Sequence, residues 1–304
     1  MAGLIKEVWR KEIMGSLFKN NEFMRYSVSA DEYVKEGTIV HISQAGVPSN
    51  VEVDRTSLPA TISERTDTDI VYTLKEFTSD PKLIRHIDQI QLSYNKMQSV
   101  LSEDMGNIRE KSADWMLRLW APAPIGRILR TTGANVTASA PGATGVRKGL
   151  VKEDLKRARL LLNKENVSST ERYALIPSDQ MDFLLSDADL LKRDSSLELD
   201  VKGGVITRLY GFNLIERSTV NVYTEAGTPL AKNPGAATAV TDNHAALIWQ
   251  KDAVECAVGN VEAFYDMDKP EYYGSIFSFL LMMGGRIRRE SNKGIISLVE
   301  AVGV

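Results

Sequence analysis

The stretch that decides the fold is residues 83–120, LIRHIDQIQLSYNKMQSVLSEDMGNIREKSADWMLRLW. Large apolar and aromatic side chains recur in it every seven residues, at Ile87, Tyr94, Leu101, Ile108 and Trp115. This spacing predicts one helix, with a start signal at Asp80-Pro81 and a stop at Pro122. Such a helix would be about 55 Å long. We expect a long helix packed on a β-sheet, with a break at Gly106 or a coiled-coil dimer as alternatives.

Residues 37–78, which precede the helix, have a strand-like pattern. β-Branched and aromatic runs lie at 38–42 and 69–74, and the segment between them is rich in Gly, Pro, Ser, Thr and Asp. A two-stranded excursion of this kind is not stable alone in water, so we expect it to lie on another surface. Residues 4–17 have helical apolar spacing, which predicts a surface helix or an arm that docks on a neighbouring subunit.

The chain after residue 122 alternates between strand and helix patterns. We predict a strand near 125–130, a helix from 151 to 162, a buried strand at 173–177 and a helix capped by Ser178. Strands return at 204–222, and a polar loop occupies 226–244. Four more strand patterns follow, at 245–249, 253–258, 275–283 and 294–299. This order predicts an α+β fold.

Composition restricts the class of protein. The 304 residues include 43% hydrophobic and 25% charged residues, the balance of a folded globular chain. The 37 basic and 40 acidic residues give a net charge of −3, which argues against a dedicated nucleic-acid binder. The single cysteine, Cys256, excludes an internal disulfide and a multi-cysteine zinc site, and we expect it to be a small buried hydrophobe. The longest apolar run, 276–283, is too short to span a bilayer, so we expect no membrane segment.

Motifs for catalysis or cofactor binding are missing. The three histidines, at 41, 86 and 244, lack metal-ligand spacing, and the glycine-rich segment 142–149 lacks the pattern of a phosphate-binding loop. Carboxylate pairs such as Asp266 and Asp268 are ordinarily solvated surface groups. We therefore expect no enzyme, no cofactor and no metal site. The basic cluster Arg286, Arg288 and Arg289 predicts a solvated strand end, with an inter-subunit contact or a nucleic-acid patch as alternatives.

Three parts of the chain together resemble the tailed-phage major capsid proteins of the Hong-Kong-97 type. The first is the extended segment 37–77 leading into the helix. The second is YALIPSDQMDFLLSD (173–187) followed by GGVITRLYGFNLIERSTV (203–220), where a strand ending in proline precedes a short helix and a later strand carries a Gly-Phe step. The third is HAALIWQKDAVECAVGNVEAFYDMDKPEYYGSIFSFLLMMGGRIRRESNKGIISL (244–298), where an Ala-Leu-Ile-Trp and Lys-Asp-Ala-Val pair leads to a long strand rich in arginine.

The resemblance implies a Hong-Kong-97-type architecture for this sequence. Its parts would be an N-terminal arm (1–36), an extended β-loop (37–78), a peripheral domain (79–150 plus 258–290) containing the spine helix 83–120, and an axial domain (151–257 plus 291–304). Within this architecture, we expect assembly contacts at the excursion tip and in the terminal strand, with Glu52, Asp54, Arg55, Arg286, Arg288 and Arg289 as candidates.

The implied function is that of a major capsid protein. Hexamers and pentamers of it would build an icosahedral shell around double-stranded DNA, assembled in the host cytoplasm and located in the virion. Portal, scaffolding and cement proteins are implied partners. Only about 36 residues precede the extended loop, so we expect a separate scaffolding protein or none. The alternatives are an encapsulin-like compartment that encloses a cargo enzyme, an enzyme with a carboxylate site at Asp266 or Asp268, and a coiled-coil dimeric binding module.

Overall fold

The computed structural model describes residues 22–35, 38–44, 51, 53–56, 59, 62, 68–85, 96–186, 199–200, 205–206, 208–289 and 291–303. The α-helices are α1 (Lys96–Trp120), α2 (Lys152–Lys164) and α3 (Ser178–Leu185). The strands are β1 (Val28–Ser29), β2 (Val34–Lys35), β3 (Ile39–Gln44), β4 (Thr68–Thr73), β5 (Lys75–Thr78), β6 (Lys82–Arg85), β7 (Ile128–Arg130), β8 (Asn135–Thr137), β9 (Val146–Lys148), β10 (Arg172–Pro177), β11 (Leu199–Asp200), β12 (Val205–Ile206), β13 (Arg208–Leu209), β14 (Phe212–Arg217), β15 (Asn221–Tyr223), β16 (Asn243–Gln250), β17 (Val254–Lys269), β18 (Gly274–Ile287) and β19 (Ile295–Val299). The α+β prediction is confirmed.

The long helix begins later than predicted. Residues 82–85 form strand β6, which pairs with β18 and buries Ile84 between exposed neighbours, so the prediction of helix from 83 is wrong at its start. Residues 86–95 lie outside the described residues. From Lys96 the helix continues through Gly106 without a break to Trp120, over about 37 Å. Its second half buries a stripe at helical spacing, made of Ile108, Ser112, Ala113, Met116, Leu117 and Trp120.

A five-stranded sheet carries this helix. Its order is β1-β17-β18-β5, with β6 also paired to β18. The antiparallel pair β17–β18 dominates, and its register shifts between Val258 and Val261. Helix α1 contacts β18 closely at Gly285, where a Cβ atom would lie 2.5 Å from the Met116 sulfur. Only glycine permits that approach.

A seven-stranded sheet forms the second large body of structure. Its order is β13-β14-β10-β16-β19-β7, with β15 also paired to β16. All eight residues of β16 are buried, as expected of a central strand covered on both faces. Alternate side chains enter two cores: Leu247 and Trp249 join the core under α1, whereas Ala246 and Ile248 join the core under α2 and α3.

The extended segment forms a small three-stranded sheet, β2-β3-β4, in which β3 and β4 are antiparallel, so the two predicted strands are confirmed. Its base packs on β17, where Val40, Ala30 and Ala257 are buried together. The described part of the predicted arm lies on its own chain: the Phe23 ring meets Trp120 edge-on at 5.8 Å. The helix predicted at 4–17 falls outside the described residues.

The domain boundaries stay predictions. Two strands, however, belong to a different sheet from the one that the predicted boundaries suggest. Strand β7 pairs with β19 and therefore lies in the seven-stranded sheet, although residues 79–150 were assigned to the peripheral domain. Strand β17 belongs to the five-stranded sheet from Val254 onward, four residues before the predicted boundary at 258.

Candidate functional site

The predicted contacts of the extended segment fall between β3 and β4. Glu52 lies outside the described residues. Asp54 is exposed and has a left-handed backbone with a φ of 52°, which an aspartate in a turn tolerates, and Arg55 is half-buried. The described aliphatic residues of this region are almost fully exposed, at 87% for Val51, 84% for Val53 and 97% for Ile62. Exposed aliphatic side chains concentrated in one thin segment are typical of a surface that another chain covers.

The predicted basic cluster is built on a buried carboxylate. Glu255 and Arg286 are directly opposite each other in β17–β18, and the Glu255 side chain is 3% exposed. Arg286 Nε donates to Glu255 Oε1 at 2.6 Å, and Arg288 Nε lies 3.4 Å from Oε2. The fold thus brings Arg286 and Arg288 together on one carboxylate of their own chain, which balances one of their two positive charges. Arg289, at the following bend, is exposed.

The Glu255 cluster also touches the extended segment and the long helix. The Arg286 guanidinium lies 5.9 Å from the centre of the Tyr72 ring in β4. Burial, and then the negative charge of Glu255, raises the pKa of Tyr72, so its phenol keeps its proton. The Trp120 indole N–H donates to the Glu255 carbonyl oxygen at 3.1 Å. Three elements therefore meet at one residue, a role for Glu255 that the sequence pattern did not reveal.

A second polar cluster, formed by His244, Ser139 and Glu300, lies at the seven-stranded sheet and was not predicted from the sequence. His244, placed by the sequence at the end of a polar loop, is buried in β16. The Val220 N–H donates to its Nε2 at 3.4 Å, which assigns the ring proton to Nδ1, 3.2 Å from Ser139 Oγ. Ser139 in turn donates to Glu300 Oε1 at 2.6 Å. Burial lowers the pKa of His244 to about 4 and raises that of Glu300.

Two other side chains considered as reactive groups, Cys256 and Asp266, lie in surroundings typical of structural residues. Cys256 is buried and its thiol pKa is raised to about 12 by that burial, which confirms the prediction of a small buried hydrophobe. Asp266 forms an exposed ion pair with Lys269 at 2.8 Å. Within the described ranges, no group of three or more His, Cys, Asp or Glu side chains could hold a metal ion. Of the helices in the described part, none has the length and apolarity needed to cross a membrane.

A family model described as phage capsid protein matches residues 84–297, well over half of the 304 residues. The chain belongs to the phage capsid protein family. It is therefore a viral structural protein of the capsid, a shell built from many subunits. None of the curated proteins with which this capsid protein was compared matches it.

Solved structures have the same fold as this capsid protein. A structure of Mycobacterium phage Che8 gives a TM-score of 0.61 at 15% identity, covering 91% of this chain and 90% of that one. The capsid of the cyanophage P-SCSP1u gives 0.62 at 15% identity, with 91% and 86% covered. A virus-like particle from Pyrococcus furiosus gives 0.53 at 12% identity, with 97% and 99% covered. At these identities the likeness establishes the fold, and the predicted Hong-Kong-97-type architecture is confirmed.

Proposed function

We propose that this capsid protein assembles through hexamers and pentamers into an icosahedral shell that encloses a double-stranded DNA genome. The observation that carries the proposal is the family match over 84–297. A shell of this kind sums many modest interfaces between identical subunits into a stable whole. Portal, scaffolding and cement proteins would be further partners, and assembly would take place in the host cytoplasm.

Two thin projections of the chain support assembly from many copies. One is the β3–β4 segment with its exposed aliphatic residues. The other is the end of the β17–β18 hairpin, where large side chains are 46–78% exposed, namely Phe264, Met267, Tyr272 and Tyr273. Aromatic and methionine side chains are enriched in subunit interfaces. Neighbouring copies would cover both projections, which have little core of their own.

The six predicted contact residues are part of this proposal: Glu52, Asp54, Arg55, Arg286, Arg288 and Arg289. Reversing the charge of Arg288 is expected to weaken assembly at low salt if it pairs across an interface. Because Arg288 also contacts Glu255 in its own chain, Arg289→Glu is the cleaner variant. We also propose the division into a peripheral domain (79–150 plus 258–290) and an axial domain (151–257 plus 291–304).

Sedimentation velocity with negative-stain microscopy, across a series of protein and salt concentrations, tests the proposal. Closed shells, or rings of five and six subunits, are the expected result. A compact dimer that stays a dimer at every concentration would contradict it and favour the coiled-coil module. Adding a co-expressed scaffolding protein from the same source addresses the case of an inert monomer, since shells should then form.

The second candidate is a compartment shell around a cargo enzyme. It is favoured by the similarity to the virus-like particle from Pyrococcus furiosus, since the structural match covers 97% of this chain and 99% of that chain. Shells purified from the native source and treated with nuclease distinguish the two functions. Protected DNA of uniform length supports the genome container, whereas a stoichiometric protein cargo without protected DNA supports the compartment.

A further inference from the structure

The exposed face of helix α2 is strongly basic. Its exposed side chains after the first turn are Lys156, Arg157, Arg159, Leu160, Asn163 and Lys164. All of these except Lys164 border a shallow depression of about 330 Å³. Among the described residues, neither Arg159 nor Lys164 has an ion-pair partner, and Lys156 makes a contact with the Tyr210 ring at 5.9 Å. Arg157 is paired with Asp154, so three of the four exposed cations on this face have no carboxylate partner among the described residues.

Of the carboxylates around this face, all but Glu153 are already paired with a cation. Asp154 is buried and pairs with Arg157 at 3.2 Å. Beyond the helix, Glu165 pairs with Arg127 and Glu171 pairs with Lys251. Within the described residues, Glu153 in the first turn is the carboxylate of the helix that lacks an ion pair. The positive charge of the face is therefore in excess.

A buried arginine beneath the face adds to this excess. Arg172 is 2% exposed, and its guanidinium donates to the carbonyl oxygens of Ser168 and Val167, both at 2.7 Å. No carboxylate among the described residues pairs with it. Burial, and then the nearby charge of Arg159, lowers the pKa of Arg172. Its acceptors are neutral carbonyl oxygens, so among the described residues Arg172 adds a positive charge near Arg159 that no carboxylate balances.

We propose that this basic face, defined by Lys156, Arg159 and Lys164, binds the phosphate backbone of double-stranded DNA. The inference rests on the proposed function, because the DNA would be the packaged genome. The three cations span about 12 Å along the helix, and over the same length of duplex axis one strand carries three to four phosphates, at a rise of roughly 3.4 Å each. A protein partner would need an apolar centre, and Leu160 is the exposed large apolar side chain on this face. Backbone contacts of this kind are independent of base sequence.

The test compares three forms of the full chain for binding to a short labelled duplex across a salt series. K156Q/R159Q/K164Q removes the basic face, and R25Q/R85Q/K111Q removes three exposed cations elsewhere as the matched control. Each phosphate contact contributes about 0.9 to the slope of log affinity against log salt. We expect the first variant to lower that slope by about 2.7, so that between about 50 and 200 mM salt its affinity falls roughly 40-fold less than that of the native chain. The control variant should keep the native slope.

An unchanged slope in K156Q/R159Q/K164Q, or a slope that falls equally in both variants, overturns the inference. So does a variant that binds DNA normally but no longer forms shells, because the face would then be a protein contact. Sedimentation of the same samples separates the two proposals. Normal shells with unaltered DNA binding contradict this inference alone. A reduced salt slope in a chain that forms no shells even with its scaffolding protein supports this inference and contradicts the shell.

Discussion

Replacement of Glu255 by glutamine should destabilise the subunit before any assembly takes place. The carboxylate is 3% exposed and serves two arginines, whose side chains are 22% and 40% exposed. Breaking a fully buried ion pair by removing one partner costs about 3–5 kcal/mol. Water reaches Arg286 and Arg288 here and screens part of their charge. We therefore expect Glu255→Gln to lower the free energy of unfolding by about 2–3 kcal/mol.

Urea unfolding of the unassembled chain measures this loss, and Glu171→Gln is the matched control. Glu171 also pairs with one cation, Lys251, but those side chains are 48% and 36% exposed. Exposed pairs of this kind contribute about 0–1 kcal/mol. If the two variants lose the same free energy, the Glu255 cluster has no special role in holding β17, β18 and α1 together, and the argument from burial is refuted.

Three further outcomes follow from close contacts and from buried titratable groups. Gly285→Ala should lower the free energy of unfolding by about 3 kcal/mol, because the new Cβ would lie 2.4 Å from a backbone carbonyl oxygen. The same urea assay measures this loss. Gly227→Ala is the control, because a Cβ at Gly227 would have no atom within 4 Å. His244 binds its proton near pH 4 when folded and near its ordinary value of about 6.5 when unfolded. As the pH falls through that interval the unfolded chain takes up the proton first, so the free energy of unfolding should decline by up to about 3 kcal/mol. The raised pKa of Glu300 acts in the opposite direction. His244→Gln should flatten the measured dependence of the unfolding free energy on pH. Cys256, with its pKa raised to about 12 by burial, should react with a thiol reagent at pH 8 only after unfolding, and stoichiometric labelling of the native chain would contradict that expectation.

Much of the fold was predictable because local periodicity and tertiary packing agree. The buried strand at 173–177 and the helix from Ser178 occur where the pattern put them. The start of the long helix did not, because Leu83 and Ile84 fit a helical stripe as well as they fit the alternation of an edge strand. Pairing with β18, nearly 200 residues later in the chain, decided in favour of the strand.

The site was less predictable because its partners are distant in sequence. Arg286 and Arg288 were identifiable as a basic cluster, but their shared carboxylate at Glu255 comes from the other strand of the hairpin. The contacts of His244 come from three separate segments, so no spacing in the sequence signals them. The apolar run that follows His244 was the available signal, since extending that strand by two residues would have placed the ring in the sheet.

Strand β16 supplies alternate side chains to two cores, and this restricts where the chain length can change. Deleting one residue within 243–250 would exchange the two faces and send Trp249 into the space that Ile248 fills. The polar loop that precedes β16 does not send alternate side chains into two cores, so its length is not restricted in this way. At Gly235 the backbone is exposed in a turn, and a Cβ there would meet nothing within 4 Å. That turn is where a foreign peptide could be inserted into the subunit while both cores keep their register.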